Sequence, residues 1–123
     1  MRRTGALWLA VFLALGHPAI AEGVQRCFTG ADLTNWHADD TRTIYLRIGV
    51  NRIYRVSLAR ECQTLRCFDA KLLLEMRGGH TVCAPVDLGI KAGEGGVFEP
   101  CFVQSLNELS PEEASALPAK LKP

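Results

Sequence analysis

Five cysteines, Cys27, Cys62, Cys67, Cys83 and Cys101, stand in a chain of only 123 residues, and they constrain its fold more than any other feature. In a small exported chain such a set is used for cross-links, because the compartment is oxidising and a modest core benefits from them. Five is odd, so one thiol must be free, joined to another molecule, or bound to something else.

The N-terminus answers whether the chain is exported. Arg2 and Arg3 precede an apolar stretch from Ala6 to Leu15 and a small-residue site, Ala19-Ile20-Ala21. This pattern predicts a secretory signal peptide over residues 1–21, cleaved after Ala21 to leave Glu22 first. The apolar stretch falls well short of the ~20 residues a spanning helix needs, and no later segment approaches that length. Cys27 follows Glu22 to Arg26 and so is not placed for lipid attachment at a processed N-terminal cysteine. The expectation is a single small β-rich domain over 22–123, periplasmic or secreted, with no membrane span after cleavage. At 48% hydrophobic and 22% charged, the composition of the whole 123-residue chain excludes disorder, collagen-like repeats and a polytopic membrane protein.

Cleavage removes two of 14 basic residues against 13 acidic ones, moving the formal net charge from +1 to −1. Nucleic-acid binding, which needs a clustered basic face, is not expected. Arg42, Arg47, Arg52, Arg55 and Arg60 form a local run that reads as the solvated face of alternating strands.

Period-two alternation gives the clearest element. Ile44, Leu46 and Ile48 share one face of a strand, with Tyr45 and Arg47 on the other. Gly49-Val50-Asn51-Arg52 supplies turn chemistry, and Tyr54, Val56 and Leu58 form the apolar side of a second strand, so the pair predicts a β-hairpin. Leu58, Cys62 and Leu65 stand at helical spacing and predict a short helix over 58–66 with Cys62 facing inward. A second hairpin is expected from Lys71–Met76 through Gly78-Gly79 into His80–Cys83, then a short strand over Val86–Ile90 and a loop at Gly93–Gly96. Cys101–Leu106 reads as a strand. Ser110, Pro111 and Glu113 predict a capped helix over 111–117. The fold class is mainly β, with α+β as the variant: a small antiparallel curled sheet or barrel, disulfide-stabilised, with two short helices.

The order of a signal peptide, Cys27-Phe28, Trp36 with Asp39-Asp40, Tyr54–Leu58, Cys62 with Leu65, then Cys83 and Cys101, resembles an uncharacterised family of small exported proteins of Gram-negative bacteria. The resemblance covers about residues 27–110 and implies a four-cysteine pattern to which Cys67 is extra. As a domain of unknown function, the family implies no activity, substrate or catalytic residue.

Three classes of function follow. The leading one is a non-catalytic periplasmic binding or accessory module, without cofactor, whose partner is unknown and could be another periplasmic protein. The second is a metal or thiol-redox protein using Cys67 and His80, with Cys62, Cys67, His80 and Cys83 as the zinc set, C-x4-C-x12-H-x2-C. The third is a small hydrolase using His37 with Asp39, although Asp39-Asp40 before a strand also suits a turn. Trp36 is expected in the core. Tyr45 is expected at the surface beside Arg47, where the pair would suit a protein or glycan contact.

Position suggests how the cysteines pair. Cys62 faces the core and Cys83 ends the hairpin expected after that helix, so Cys62–Cys83 would close a local loop, while Cys27–Cys101 would tie the ends of the domain. Cys67 is left as the free-thiol candidate. A Cys62–Cys67 bond is the competing arrangement and requires the helix to break before Cys67.

Overall fold

A computed structural model describes residues 27–123; the signal-peptide reading of residues 1–21 and the expected cleavage after Ala21 lie outside the described residues. Nine strands occur among the described residues: β1 Phe28–Thr29, β2 Leu33–Ala38, β3 Thr43–Ile48, β4 Arg52–Leu58, β5 Lys71–Met76, β6 Thr81–Val82, β7 Leu88–Glu94, β8 Val97–Cys101 and β9 Val103–Glu108. One α-helix, α1, spans Pro111–Ala116. The strands form a four-stranded sheet ordered β2-β3-β4-β9, a three-stranded sheet ordered β5-β7-β8, and a small β1-β6 pair. Every pairing is antiparallel.

The hairpin expected from alternation is β3-β4, in the register Ile44↔Val56, Leu46↔Tyr54 and Ile48↔Arg52. Gly49 turns the chain at φ 63°, a left-handed conformation that costs glycine little. The inward side chains of this hairpin meet Leu88, Ile90 and Ala92 of β7, so the two larger sheets share one core. Trp36 and Leu106 pack against it, partly buried.

The second face of the hairpin is also covered. Tyr45 and Ile53 are buried with Leu109 and Leu121, and Ala114 and Leu117 pack against them. Tyr45, expected at the surface, is therefore a core residue. Strand alternation sorts side chains between two faces but does not say which segment later lies over a face. The covering segment starts at the predicted cap, where Ser110 Oγ accepts from the Glu113 N–H at 3.1 Å and Glu113 Oε1 accepts from the Ser110 N–H at 3.2 Å.

Four other expectations are corrected. The helix over 58–66 is absent: Ser57 pairs with Ser105 and keeps the chain extended to Leu58, and only a 3-10 turn, Gln63–Arg66, follows. That turn still buries Cys62 and Leu65. The second hairpin is also different, because β5 pairs with β7 (Leu72↔Ala92, Leu74↔Ile90, Met76↔Leu88) while β6 pairs with β1 (Phe28↔Val82). The loop at Gly93–Gly96 shrinks to Gly95-Gly96, at φ 63° and 86°, which joins β7 to β8 as a tight hairpin. The strand expected over Cys101–Leu106 is divided at Phe102, where the chain passes from the three-stranded to the four-stranded sheet.

The disulfides follow this altered topology. Cys27 bonds to Cys83 and Cys62 to Cys101, with Cα separations of 4.2 and 5.5 Å, and Cys67 is the free cysteine. The expected pairs, Cys27–Cys101 and Cys62–Cys83, are overturned because β6 lies beside β1 and brings Cys83 to Cys27. The end of β8 instead brings Cys101 to the turn after Cys62.

The sheets do not close into a barrel. On one side the chain itself runs from β8 into β9 and joins them; on the other, edge strands β2 and β5 leave a seam.

Candidate functional site

That seam is a groove with a mainly apolar lining. Leu33 of β2 forms one wall, Leu72, Leu74 and Met76 of β5 the other, and Gly30 and Ala31 close one end near His80. Its volume is about 480 Å³, within the range that holds small ligands. Residues 72, 74 and 76 face the shared core, yet they remain partly exposed because no strand bridges β5 to β2.

The polar groups gather at one end. The Gly30 N–H donates to the His80 carbonyl at 3.4 Å, which holds the β1 side of the groove against the segment leading into β6. Thr29 Oγ1 donates to Asp32 Oδ2 at 2.7 Å and so is already engaged. His80 lines the groove and is exposed. Gly30 allows a close approach: a Cβ there would lie 2.3 Å from Met76 Cε, so the Met76 methyl group would have to move aside. In the sequence, Leu72, Leu74 and Met76 mark only the apolar face of a strand, and nothing there shows that this face is left partly uncovered.

The residues considered for catalysis or metal binding are dispersed. Cys62 and Cys83 sit in separate disulfides, and no group of three or more His, Cys, Asp or Glu among the described residues is placed to hold a metal ion. His80 lines the groove, whereas Cys67 lines a smaller hollow of about 250 Å³ with Trp36, His37 and Phe68. The Cys67 thiol is held above its ordinary range, first by its hydrogen bond to the Glu94 carboxylate and then by burial and the charges of Glu94 and Glu99. Thiol chemistry needs the opposite shift, because the thiolate is the reactive form.

His37 is exposed on β2, and the two aspartates beyond it serve the β2-β3 turn. Asp39 donates its backbone N–H to the Thr43 carbonyl at 3.0 Å, and Asp40 Oδ1 accepts from the Arg42 N–H at 2.7 Å. Neither carboxylate is hydrogen-bonded to His37, so the geometry that would activate a hydrolytic base is missing.

The arginine run is a set of braces where a bare solvated face was expected. Arg47 Nε donates to Pro123 O at 2.7 Å, and Arg42 Nη2 donates to the Ala59 carbonyl at 3.0 Å. Arg52 pairs with Glu108 at 2.7 Å and also donates to the Tyr54 hydroxyl. Arg55 and Arg60 lie over the rings of Tyr45 and Phe102. These guanidinium groups are directed at partners within the fold and do not converge on a common external anion.

One carboxylate has a structural role invisible in sequence. Glu99 Oε1 accepts from the Thr64 N–H at 2.8 Å, capping the 3-10 turn from β8 beside the Cys62–Cys101 bond. This hydrogen bond holds the Glu99 carboxyl below its ordinary range.

Comparison with known proteins adds a family and no activity. Residues 5–122 match a family of unknown function, DUF6491. No curated protein and no solved structure matches the chain.

Proposed function

The chain belongs to the DUF6491 family of unknown function, and from that premise we propose that it is an exported, non-catalytic binding or accessory module that holds an apolar ligand in the seam between β2 and β5. The observation that carries this reading is the groove of about 480 Å³, walled by Leu33, Leu72, Leu74 and Met76 with a polar group at one end only. Binding sites are commonly largely apolar hollows in which a few polar groups set orientation. Two disulfides suit an oxidising compartment, which supports the periplasmic or secreted location read from the N-terminus.

The test is binding of N-phenyl-1-naphthylamine, a dye that brightens in apolar surroundings, to the wild-type protein and to Ala31→Trp. Ala31 is exposed and lines the groove, so an indole there fills the space without disturbing the core. Saturable binding by the wild type and its loss in Ala31→Trp, at unchanged thermal stability, is the expected result. Equal binding by both proteins, or none by the wild type, overturns the proposal.

A further inference from the structure

We infer that the ligand of this groove is an amphiphile with a single acyl chain, lying along β5 with the oxygen atoms of its head at His80. The inference rests on the binding reading above and adds the chemical class and orientation of the ligand.

The first argument is the gradient of polarity along β5. Met76 lies against Gly30, whose N–H bonds to the His80 carbonyl, so the Met76 end of the strand is the polar end. Leu72 and Leu74 lead away from it and line the remainder of the groove. Polar residues at one end, His80 and Thr29, and leucines at the other match a molecule with one hydrogen-bonding head and a purely apolar tail. A ligand polar at both ends would find no polar lining residue at the Leu72 end.

The second argument is length. From Leu72 to Met76 the strand advances about 13 Å. An extended hydrocarbon chain advances about 1.25 Å per methylene, from the carbon–carbon bond length and tetrahedral angle, so roughly ten carbons span it. A volume of about 480 Å³ leaves room for one such chain.

The third argument separates an acyl chain from an added peptide strand. A peptide strand filling the seam would have to pair with both edges, and while β5 is regular, β2 is bulged between Leu33 and Asn35 at the point where it forms the wall. In addition, Thr34 Oγ1 lies within hydrogen-bonding distance of the Arg47 and Gly49 carbonyls, at 3.3 and 2.9 Å, which fixes that irregular edge. Side-chain burial is thus available along the groove, while a matching two-sided ladder of backbone bonds is not.

Displacement of bound N-phenyl-1-naphthylamine from the full-length protein tests the inference. Saturated fatty acids of six to sixteen carbons and a lauroyl lysophospholipid serve as competitors, which distinguishes a free acid from a lipid headgroup as the source of the oxygens. Affinity should rise about fourfold per methylene and level off near ten carbons. His80→Ala should weaken each acyl competitor by roughly five- to tenfold more than it weakens the dye, which carries no oxygen-bearing head. If the dye binds but acyl competitors fail to displace it, show no dependence on length, or are indifferent to His80→Ala, this inference falls and the binding reading stands. Displacement by an alternating apolar peptide in their place has the same meaning. If the dye does not bind the wild type, both fall.

Discussion

Replacing both Cys62 and Cys101 by alanine removes the cross-link between the segment after β4 and the end of β8. The half-cystines are 39 residues apart, and the chain-entropy relation for a loop of that length gives about 4 kcal/mol near 25 °C. Both residues are buried, at 2% and 3% exposure, so losing two packed sulfur atoms adds roughly 1 kcal/mol. A loss of about 5 kcal/mol is comparable to the entire net stability of many small domains. Equilibrium urea unfolding measures it, and at a slope of about 1.5–2 kcal/mol/M the midpoint should fall by roughly 2.5–3.5 M, or the variant should be unfolded without urea. Cys67→Ala is the control, because Cys67 is in no disulfide, and should shift the midpoint by less than about 0.3 M. The single variant Cys62→Ala should leave Cys101 as the newly alkylatable thiol. A midpoint shift below about 0.5 M in the double variant, or Cys83 labelled in place of Cys101, would refute the reasoning.

Three further outcomes are expected. Ser110→Ala removes the cap that starts the covering segment and should cost about 1 kcal/mol in urea unfolding, with increased exposure of Tyr45; an unchanged midpoint would show that the cap does not hold the segment. Glu99 has a folded-state pKa below its unfolded one, so its contribution is complete above the unfolded value and is lost as pH falls through the folded value. Glu99→Gln should accordingly be less stable than the wild type at neutral pH and converge with it in acid, as followed by thermal melting across pH; a constant difference would count against the capping role. Glu94→Gln should lower the Cys67 pKa toward the ordinary thiol range and accelerate its alkylation by iodoacetamide near pH 8, and an unchanged rate would remove Glu94 as the cause.

What was legible in the sequence was local. The β3-β4 hairpin followed from the alternation of Ile44, Leu46 and Ile48 against Tyr54, Val56 and Leu58, with Gly49 at the turn. The Ser110-Pro111-Glu113 start of α1 was equally clear, since every atom of a capping box lies within four residues. What escaped depended on partners distant in sequence. Thr81-Val82 is too short to specify its neighbour by pattern, and it pairs with β1 where the Cys27–Cys83 bond joins the two segments. The pairing of Cys62 with Cys101 depends on the chain changing sheets at Phe102, for which the sequence carries no periodic signal. The groove was missed for the same reason. Leu72 and Leu74 were recognisable as apolar strand residues, but only the topology shows that the sheet edge beside them is unfilled.

Chemical-shift mapping tests the central claim most directly. Dodecanoate titrated into the isotope-labelled protein should perturb the backbone amides of Gly30, Ala31, Leu33, Leu72, Leu74 and Met76, progressively and saturably. Perturbations centred on Trp36, Cys67 and Phe68, on the outer face near Leu73 and Phe98, or nowhere would contradict it.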